Sequence, residues 1–350
     1  MEIDDVREIS SEIISEMKKA VIGYDKEIRY MLTALLANGH VLLEGVPGIA
    51  KTTMAKGLAI LLGVQKTSLE MFRGFSRIQC TPDLMPSDVT GCMIYNQREM
   101  RFEPRLGPIF CYLLLVDEIN RAIPRTQSAL LQAMQEREVT IGDRVYKLED
   151  RSKGKFFFVV ATQNPVEQEG TYPLPEAQLD RFLMRIIVGY PRDLESEKSI
   201  LRLHADRIAE PVEELSEVVQ PSWATEAQEV IAKRVSVSEG ALEYITRGIR
   251  YTRPEIFEPV RKLLILGASP RAGIALLRAA KVSAAMRGSD EVLPEDVDSV
   301  LYPVLNHRLL PNPEKLAELR MEGMIFGSQY SIAEEAIKLA FSSAKKEIGL

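Results

Sequence analysis

The residues best suited to chemistry lie between positions 40 and 53, where a short apolar run leads into Gly-Val-Pro-Gly-Ile-Ala-Lys-Thr-Thr. This order predicts a strand, a glycine-bearing turn and a helix that opens with Lys51 and Thr52. Such a turn offers backbone N–H groups to phosphate oxygens, and the helix N-terminus adds its positive dipole. Lys51 would reach the β and γ phosphates of a triphosphate, and the Thr52 hydroxyl would ligate Mg²⁺. The predicted phosphate-binding residues are Gly45, Val46, Pro47, Gly48, Ile49, Ala50, Lys51, Thr52 and Thr53.

One residue of this segment departs from the usual pattern. The position before the lysine is commonly glycine and is here Ala50, so the backbone at that point must tolerate a Cβ. A short Gly-x-x-Gly-x-x-Lys-Thr match can also be an ordinary strand–turn–helix corner. The apolar run before it and the helical pattern after it are the context that the motif requires, so we interpret the segment as a phosphate-binding loop.

Two acidic residues, Asp117 and Glu118, end a second apolar run. An enzyme with a phosphate-binding loop needs a carboxylate at a neighbouring strand end to hold magnesium, directly or through water. Asp117 fits that role, and Glu118 would then orient or deprotonate the water that attacks the γ-phosphate. Alone, such an acidic pair is typical of a solvated turn. Together with the upstream loop it favours a nucleotide site.

Three further polar residues would complete a triphosphate site. Asn164 follows an apolar run, and its neutral amide can hold the attacking water or a γ-phosphate oxygen, although an Asn-Pro pair is also a common turn. Arg181 either pairs with Asp180 on a helix end or reaches, as an arginine finger, the γ-phosphate in a neighbouring subunit. Arg271 opens a predicted helix, where a cation opposes the helix dipole and an anionic partner would relieve the cost.

These residues need a sheet to bring them together, and the apolar runs supply its strands. The runs lack a clean polar alternation, as expected for strands buried on both faces, and the helical patterns between them predict an α/β fold with a mainly parallel sheet. After residue 191 the patterns are largely helical, which places a domain boundary there. Strands are predicted at 41–44, 76–80, 112–116, 156–161 and 184–188, and helices at 6–19, 25–37, 52–62, 194–208, 223–234, 239–251, 271–286 and 294–305.

Composition argues against several classes of protein. The net charge of −6 disfavours a nucleic-acid binder whose whole surface is basic. No apolar run approaches the ~20 residues that a membrane span needs. The acidic, helix-patterned start does not resemble a secretory signal, so a cytoplasmic location is expected. Cys80, Cys92 and Cys111 lack metal-type spacing and are expected to be reduced, mostly packed thiols, and the 3 histidines are expected to be core or surface residues.

The order of these motifs along the chain resembles that of an AAA+ ATPase, and several long strings resemble the MoxR group within that superfamily. The resemblance covers roughly residues 15–310. It is carried by the strings at 77–91, 117–121, 127–136, 161–165 and 167–182.

The resemblance implies a fold and a set of roles. The fold is a P-loop AAA+ core with a central, mainly parallel sheet, followed by a smaller all-helical lid domain. The cofactors are ATP and Mg²⁺, and proteins of this group tend to carry alanine at the position of Ala50. The implied roles are Lys51 and Thr52 as the Walker A lysine and hydroxyl, Asp117 and Glu118 as Walker B, Asn164 as sensor 1, Arg181 as the arginine finger, Arg271 as sensor 2, and Val21, Ile22 and Gly23 as the segment that lines the adenine pocket.

The resemblance also implies partners. It suggests ATP hydrolysis at the interfaces of a homo-oligomeric ring, expected to be a hexamer, which remodels or matures a protein client. In this group the partner often carries a von Willebrand factor A domain. The sequence itself names neither the client nor the pathway.

The change in residue patterns, taken with the resemblance, divides the chain into residues 1–191 as the nucleotide-binding domain, 192–310 as the lid and 311–350 as a C-terminal extension. Two β-hairpin inserts are expected at about 82–108 and 139–155. The segment 65–74 and the extension depart from the family pattern. In the extension a helix capped by Ser331 is predicted, whose apolar stripe we expect to pack on its own chain. That stripe consists of Ile337, Phe341, Ala344 and Ile348.

Two alternative functions stay open at this point. One is a nucleic-acid motor, since related hairpins track DNA, but acidic residues interleave with the basic ones of the 139–155 hairpin. The other is a nucleotide-gated scaffold with little turnover. Glu118 and Arg181 argue against the scaffold, because it needs neither of them.

Overall fold

The computed structural model describes residues 1–65, 68–69, 72–165, 170–191, 193–322 and 327–349. Its strands are β1 (Val41–Glu44), β2 (Ser68–Leu69), β3 (Phe72–Gln79), β4 (Gly91–Asn96), β5 (Arg101–Leu106), β6 (Cys111–Asp117), β7 (Glu138–Ile141), β8 (Arg144–Lys147), β9 (Phe158–Gln163), β10 (Met184–Ile187), β11 (Ser236–Val237), β12 (Leu264–Leu266), β13 (Glu291–Val292) and β14 (Leu310–Pro311). Its helices are α1 (Ile3–Met17), α2 (Asp25–Leu36), α3 (Lys51–Leu61), α4 (Pro86–Thr90), α5 (Pro124–Glu136), α6 (Glu176–Leu179), α7 (Leu194–Ala205), α8 (Ser222–Arg234), α9 (Glu239–Tyr251), α10 (Pro270–Arg287), α11 (Pro294–Leu305), α12 (Pro313–Met321) and α13 (Ser328–Glu347).

A six-stranded sheet in the order β10-β1-β9-β6-β3-β2 forms the centre of the α/β part of the chain. Three neighbouring pairs, β1–β9, β9–β6 and β6–β3, are parallel, and β2 returns antiparallel along β3. Strands β1 and β6 are buried at every position. The predicted α/β fold with a mainly parallel sheet is therefore confirmed.

Strand β3 corrects one detail of the prediction. It was expected to be buried on both faces, yet from Gly74 to Gln79 buried positions alternate with more exposed ones. The reason is its place in the sheet, since only the two-residue strand β2 separates it from the edge. One face of β3 is therefore open, and it carries Arg73, Arg77 and Gln79.

The chain forms two compact units. One comprises Glu8–Phe182 and Ile186–Glu229 and holds most of the sheet; the other comprises Met1–Arg7, Leu183–Arg185 and Val230–Leu350. The predicted boundary near residue 191 stays a prediction. Among the described residues, no helix is both long and apolar enough to cross a bilayer.

In its described residues the second unit is mainly helical, and it contains part of β10 and two short strand pairs, β11 with β13 and β12 with β14. Two of its helices, α9 and α10, have residues at their ends that favour a helix start or stop. Helix α9 is capped by the Ser238 hydroxyl, which accepts from the N–H of Ala241 at 3.2 Å. Helix α10 opens with Pro270 and ends at Arg287, and the next residue is Gly288, whose φ of +86° is unfavourable for most other residues.

The C-terminal stripe packs on its own chain, as predicted. Ile337, Phe341 and Ala344 are buried, Ile348 is half-buried, and the Phe341 ring meets Tyr244 edge-on at 5.4 Å. The predicted cap at Ser331 is wrong. Helix α13 already begins at Ser328, so Ser331 lies inside its first turn.

Both predicted hairpins are present. Strands β4 and β5 pair antiparallel, as do β7 and β8 around a turn at Gly142, whose φ is +64°. The departing segment 65–74 lies partly outside the described residues, at 66–67 and 70–71. Its last residues, from Phe72, start β3.

Two of the 3 cysteines are buried as expected, and Cys92 is exposed on β4. Burial raises the pKa of both the Cys80 and the Cys111 thiols to about 12. These two thiols are therefore inert packing residues at neutral pH.

His40 is a core residue, one of the two expected placements for a histidine. Its hydrogen bonds connect the segment just before β1 to β9 and α5. Its Nδ1 accepts from the N–H of Val159 at 3.1 Å, so Nε2 carries the proton and donates to the Met134 carbonyl at 3.0 Å. Burial, with a smaller effect from the charge of Arg137, lowers the pKa of His40 to about 3. The imidazole is therefore neutral in the fold.

Because His40 is neutral in the fold, we expect the free energy of unfolding to decrease in acid. As pH falls below about 6.5 the unfolded chain protonates His40 and the folded chain does not, until pH approaches its pKa of about 3. Stability therefore falls through that window, by up to about 1.4 kcal/mol per pH unit from this group. We expect urea unfolding of His40→Gln to show a shallower pH slope than wild type, and that of the exposed His204→Gln to match wild type. Equal slopes in all three proteins would contradict the assignment.

Candidate functional site

The loop between β1 and α3 has the backbone that the sequence motif requires. A Cβ on Gly45 would lie 2.3 Å from the Val188 carbonyl oxygen, so only glycine fits there. Gly48 has a φ of +81° and Ala50 a φ of +59°, both in the left-handed region. Ala50 thus accommodates its Cβ at a conformational cost of about 1–2 kcal/mol, which is typical of functional loops.

The Lys51 side chain turns back over this loop. Its Nζ donates to the Gly45 carbonyl oxygen and, at 3.4 Å, to the Gln163 carbonyl oxygen. Gln163 is the last residue of β9, and Asn164 follows it. The ammonium therefore lies at the carboxyl end of β9, next to the predicted sensor residue.

The acidic pair lies at the end of the neighbouring strand, where a threonine fixes it. Asp117 is the last residue of β6, and its Oδ1 accepts from the Thr162 hydroxyl at 3.1 Å. The same hydroxyl oxygen accepts from the N–H of Glu118 at 2.9 Å. Glu118 has a left-handed backbone, with φ of +56°. Strain of this kind at a carboxylate is a mark of a functional site.

Sheet order brings these groups together. Strand β9 lies between β1 and β6, so the ends of the three strands are adjacent at one edge of the sheet. Lys51, the Asp117–Glu118 pair and Asn164 all lie at this edge. Asn164 is buried, and its carbonyl oxygen accepts from Asn120 Nδ2 at 3.5 Å. Ligands of open α/β sheets bind at such carboxyl edges.

An apolar cavity of about 420 Å³ adjoins the loop. Gly48, Ile49, Ala50 and Thr53 form one side of it. The rest of its lining includes Val21 and Ile22, which the resemblance assigns to an adenine pocket, and residues of α7 such as Leu201 and His204. The size and lining suit a nucleobase beside bound phosphates. Gly23 has a φ of +85° and turns the chain beside Val21 and Ile22.

Two predicted site residues, Arg181 and Arg271, are not among the residues named in these contacts. Arg181 is half-buried and follows the one-turn helix α6. Arg271 is exposed in the first turn of α10, in the other compact unit. Their predicted roles as arginine finger and sensor 2 stay predictions.

Two residues at the site were missed by sequence reasoning, Arg77 and Gln79 on the open face of β3. The Arg77 guanidinium pairs with Asp117 Oδ2 at 2.7 Å, and Gln79 Nε2 donates to Glu118 Oε2 at 2.8 Å. Arg121 adds an ion pair to Glu118 at 3.3 Å. The available signal was the i, i+2 spacing of Arg77 and Gln79, which places both side chains on one face of a strand.

The residues present suit a magnesium nucleotide. Asp117 and Thr52 would offer a carboxylate and a hydroxyl oxygen, the kinds of ligand that Mg²⁺ prefers. The Lys51 ammonium and the N-terminus of α3 supply positive charge for phosphates. These groups and the cavity lie within one compact unit.

A phosphate-binding loop after β1, with a carboxylate pair two strands away and a separate helical unit, defines a P-loop protein of the AAA+ class. Comparison with known proteins agrees. Residues 40–184 match the ATPase family associated with various cellular activities (AAA), and residues 260–322 match the AAA lid domain.

Similar proteins narrow this class to a family. The chain is 42% identical over 308 residues to Chaperone MoxR1 of Mycobacterium tuberculosis, covering 87% of this chain and 76% of that protein. It is 33% identical over 331 residues to Protein MoxR of Methylorubrum extorquens, covering 89% and 90%. A crystal structure of a candidate ATPase from Cytophaga hutchinsonii superimposes with a TM-score of 0.78 at 42% identity, covering 91% of this chain and 93% of that one. The chain belongs to the MoxR family of AAA+ ATPases.

Proposed function

We propose that this protein hydrolyses ATP with Mg²⁺ at a site shared between copies arranged in a ring, and uses the cycle to remodel or mature a protein client in the cytoplasm. The observation that carries the proposal is that β9 contacts both halves of the site. Lys51 donates to the carbonyl of Gln163 at the end of β9, and Thr162 of the same strand bonds to Asp117 and Glu118. The apolar cavity beside the same loop, which suits a nucleobase, supports ATP as the ligand.

The roles proposed for the residues follow from their chemistry. Lys51 and the N-terminus of α3 bind phosphates, and Asp117 with Thr52 holds Mg²⁺, which neutralises charge on the phosphate oxygens. Glu118 orients and deprotonates the attacking water, and Asn164 positions that water against the γ-phosphate. Val21, Ile22 and Gly23 border the adenine. Arg181 serves the site of the next subunit, and Arg271 reports the nucleotide state to the lid.

The client role rests on the family. A relative with 42% identity is named as a chaperone. A ring, expected to be hexameric, is the arrangement in which an arginine finger would act across an interface. A partner with a von Willebrand factor A domain is the class of client that we would test first.

The experiment that tests the proposal measures ATP turnover against protein concentration, with and without Mg²⁺, together with mass photometry of the same samples. We expect turnover to require Mg²⁺ and to rise as oligomers form. Lys51→Ala should lose ATP binding and turnover, whereas Lys56→Ala on the same helix, which removes only a surface pair with Glu213, should keep both. Binding of ATP without any turnover across the range would instead indicate the scaffold.

A further inference from the structure

The ion pair between Arg77 and Asp117 joins an exposed cation to a buried anion. The Arg77 side chain is 53% exposed, whereas that of Asp117 is only 6% exposed. Both Nε and Nη2 of Arg77 lie 2.7 Å from Asp117 Oδ2, while Oδ1 is held by Thr162. A carboxylate this buried is costly without a positive partner, and Arg77 supplies a positive charge beside Asp117.

The same guanidinium is linked to the second carboxylate of the site through Gln79. Arg77 Nη2 donates to Gln79 Oε1 at 3.3 Å, and Gln79 Nε2 donates to Glu118 Oε2 at 2.8 Å. Arg77 and Gln79 thus form one hydrogen-bonded chain from Asp117 to Glu118 along the open face of β3. Both acidic groups therefore have hydrogen-bonding partners on β3.

We propose that Arg77 is a positioning residue that competes with Mg²⁺ for Asp117, so that the ion pair between Arg77 and Asp117 must separate when the magnesium nucleotide binds. The inference rests on the proposed function of Asp117 as a metal ligand. Two cations that share one partly buried carboxylate repel each other strongly, because solvent screens them poorly there. Asp117 is held by the Thr162 hydroxyl at the end of β6, whereas about half of the Arg77 side chain is in solvent. Arg77 is therefore the partner that would move.

The competition makes a specific prediction about Mg²⁺. We expect Arg77→Gln, which removes the charge but retains hydrogen-bonding groups, to lower the Mg²⁺ concentration that half-saturates binding of AMP-PNP by about three- to tenfold. The measurement is equilibrium binding of AMP-PNP at increasing Mg²⁺, with the non-hydrolysable analogue chosen so that Glu118 stays intact. The matched control is Arg73→Gln, which removes the same charge four residues earlier on the same open face. This control should keep the wild-type Mg²⁺ midpoint.

A second measurement separates competition from a purely structural ion pair. If Arg77 competes with Mg²⁺, Arg77→Gln lowers the thermal midpoint of the nucleotide-free protein but not that of the protein saturated with Mg²⁺ and AMP-PNP. An equal loss in both states, an unchanged or raised Mg²⁺ midpoint, or an equal shift in Arg73→Gln would overturn the proposal. Failure of wild type to bind AMP-PNP at any Mg²⁺ concentration would instead reject the proposed function.

Discussion

Glu118→Gln is expected to bind ATP as tightly as wild type and to lose turnover by about 10²–10⁴-fold. The Thr162 hydroxyl accepts a hydrogen bond from the N–H of Glu118 and so fixes the backbone at this residue. Because glutamine has nearly the same shape as glutamate, the substitution removes the basic carboxylate and leaves the side chain in the same position. Gln79 donates to a side-chain oxygen, which an amide also offers. The measurement is single-turnover hydrolysis of ATP alongside equilibrium binding of ATP.

Glu136→Gln provides the matched control for that experiment. Glu136 is an exposed residue at the end of α5, where its carboxylate accepts a hydrogen bond from Gln132. The variant loses one negative charge and should retain wild-type turnover. If Glu118→Gln kept more than about a tenth of the turnover, or if it lost ATP binding, Glu118 would not be the group that activates water.

The sequence predicted the strands that carry the site because both the strand and the polar residues at its end are contained in one short segment of the chain. A buried parallel strand is a short apolar run, and the groups at its end follow directly in the chain, as in β6 with Asp117 and Glu118. Strand order is a different matter. Nothing in the spacing of residues placed β9 between β1 and β6, yet that order lets Lys51 reach Gln163 and lets Thr162 hold Asp117.

The interactions that the sequence did not predict are those between distant segments. Arg77 pairs with a residue 40 positions away, and the pairing depends on β3 running parallel to β6 with Gln79 opposite Asp117. The part of the apolar cavity that is lined by α7 also depends on tertiary packing. Its residues Ile200, Leu201 and Leu203 carry no motif and would be taken for ordinary helix positions. Only the packed fold shows what they border.

Arg181→Ala is expected to reduce turnover by about 10³–10⁵-fold if Arg181 stabilises charge on the γ-phosphate of a neighbouring subunit. Within its own unit the side chain is half-buried beside α6. The local alternative, a pairing with Asp180, would make the loss one of stability. The two explanations differ in whether the Arg181 of another chain can restore the lost turnover.

Mixing two inactive variants distinguishes these explanations. In a ring of Glu118→Gln and Arg181→Ala subunits, a site built from the Glu118 of one variant and the Arg181 of the other is complete. Random assembly of equal amounts makes about a quarter of the interfaces complete, because contacts in a ring are head-to-tail. We therefore expect the mixture to regain about a quarter of wild-type turnover at concentrations where rings form. A mixture as inactive as its components, with mixed oligomers shown by mass, would mean that Arg181 acts within its own chain, and the shared-site proposal would fail with it.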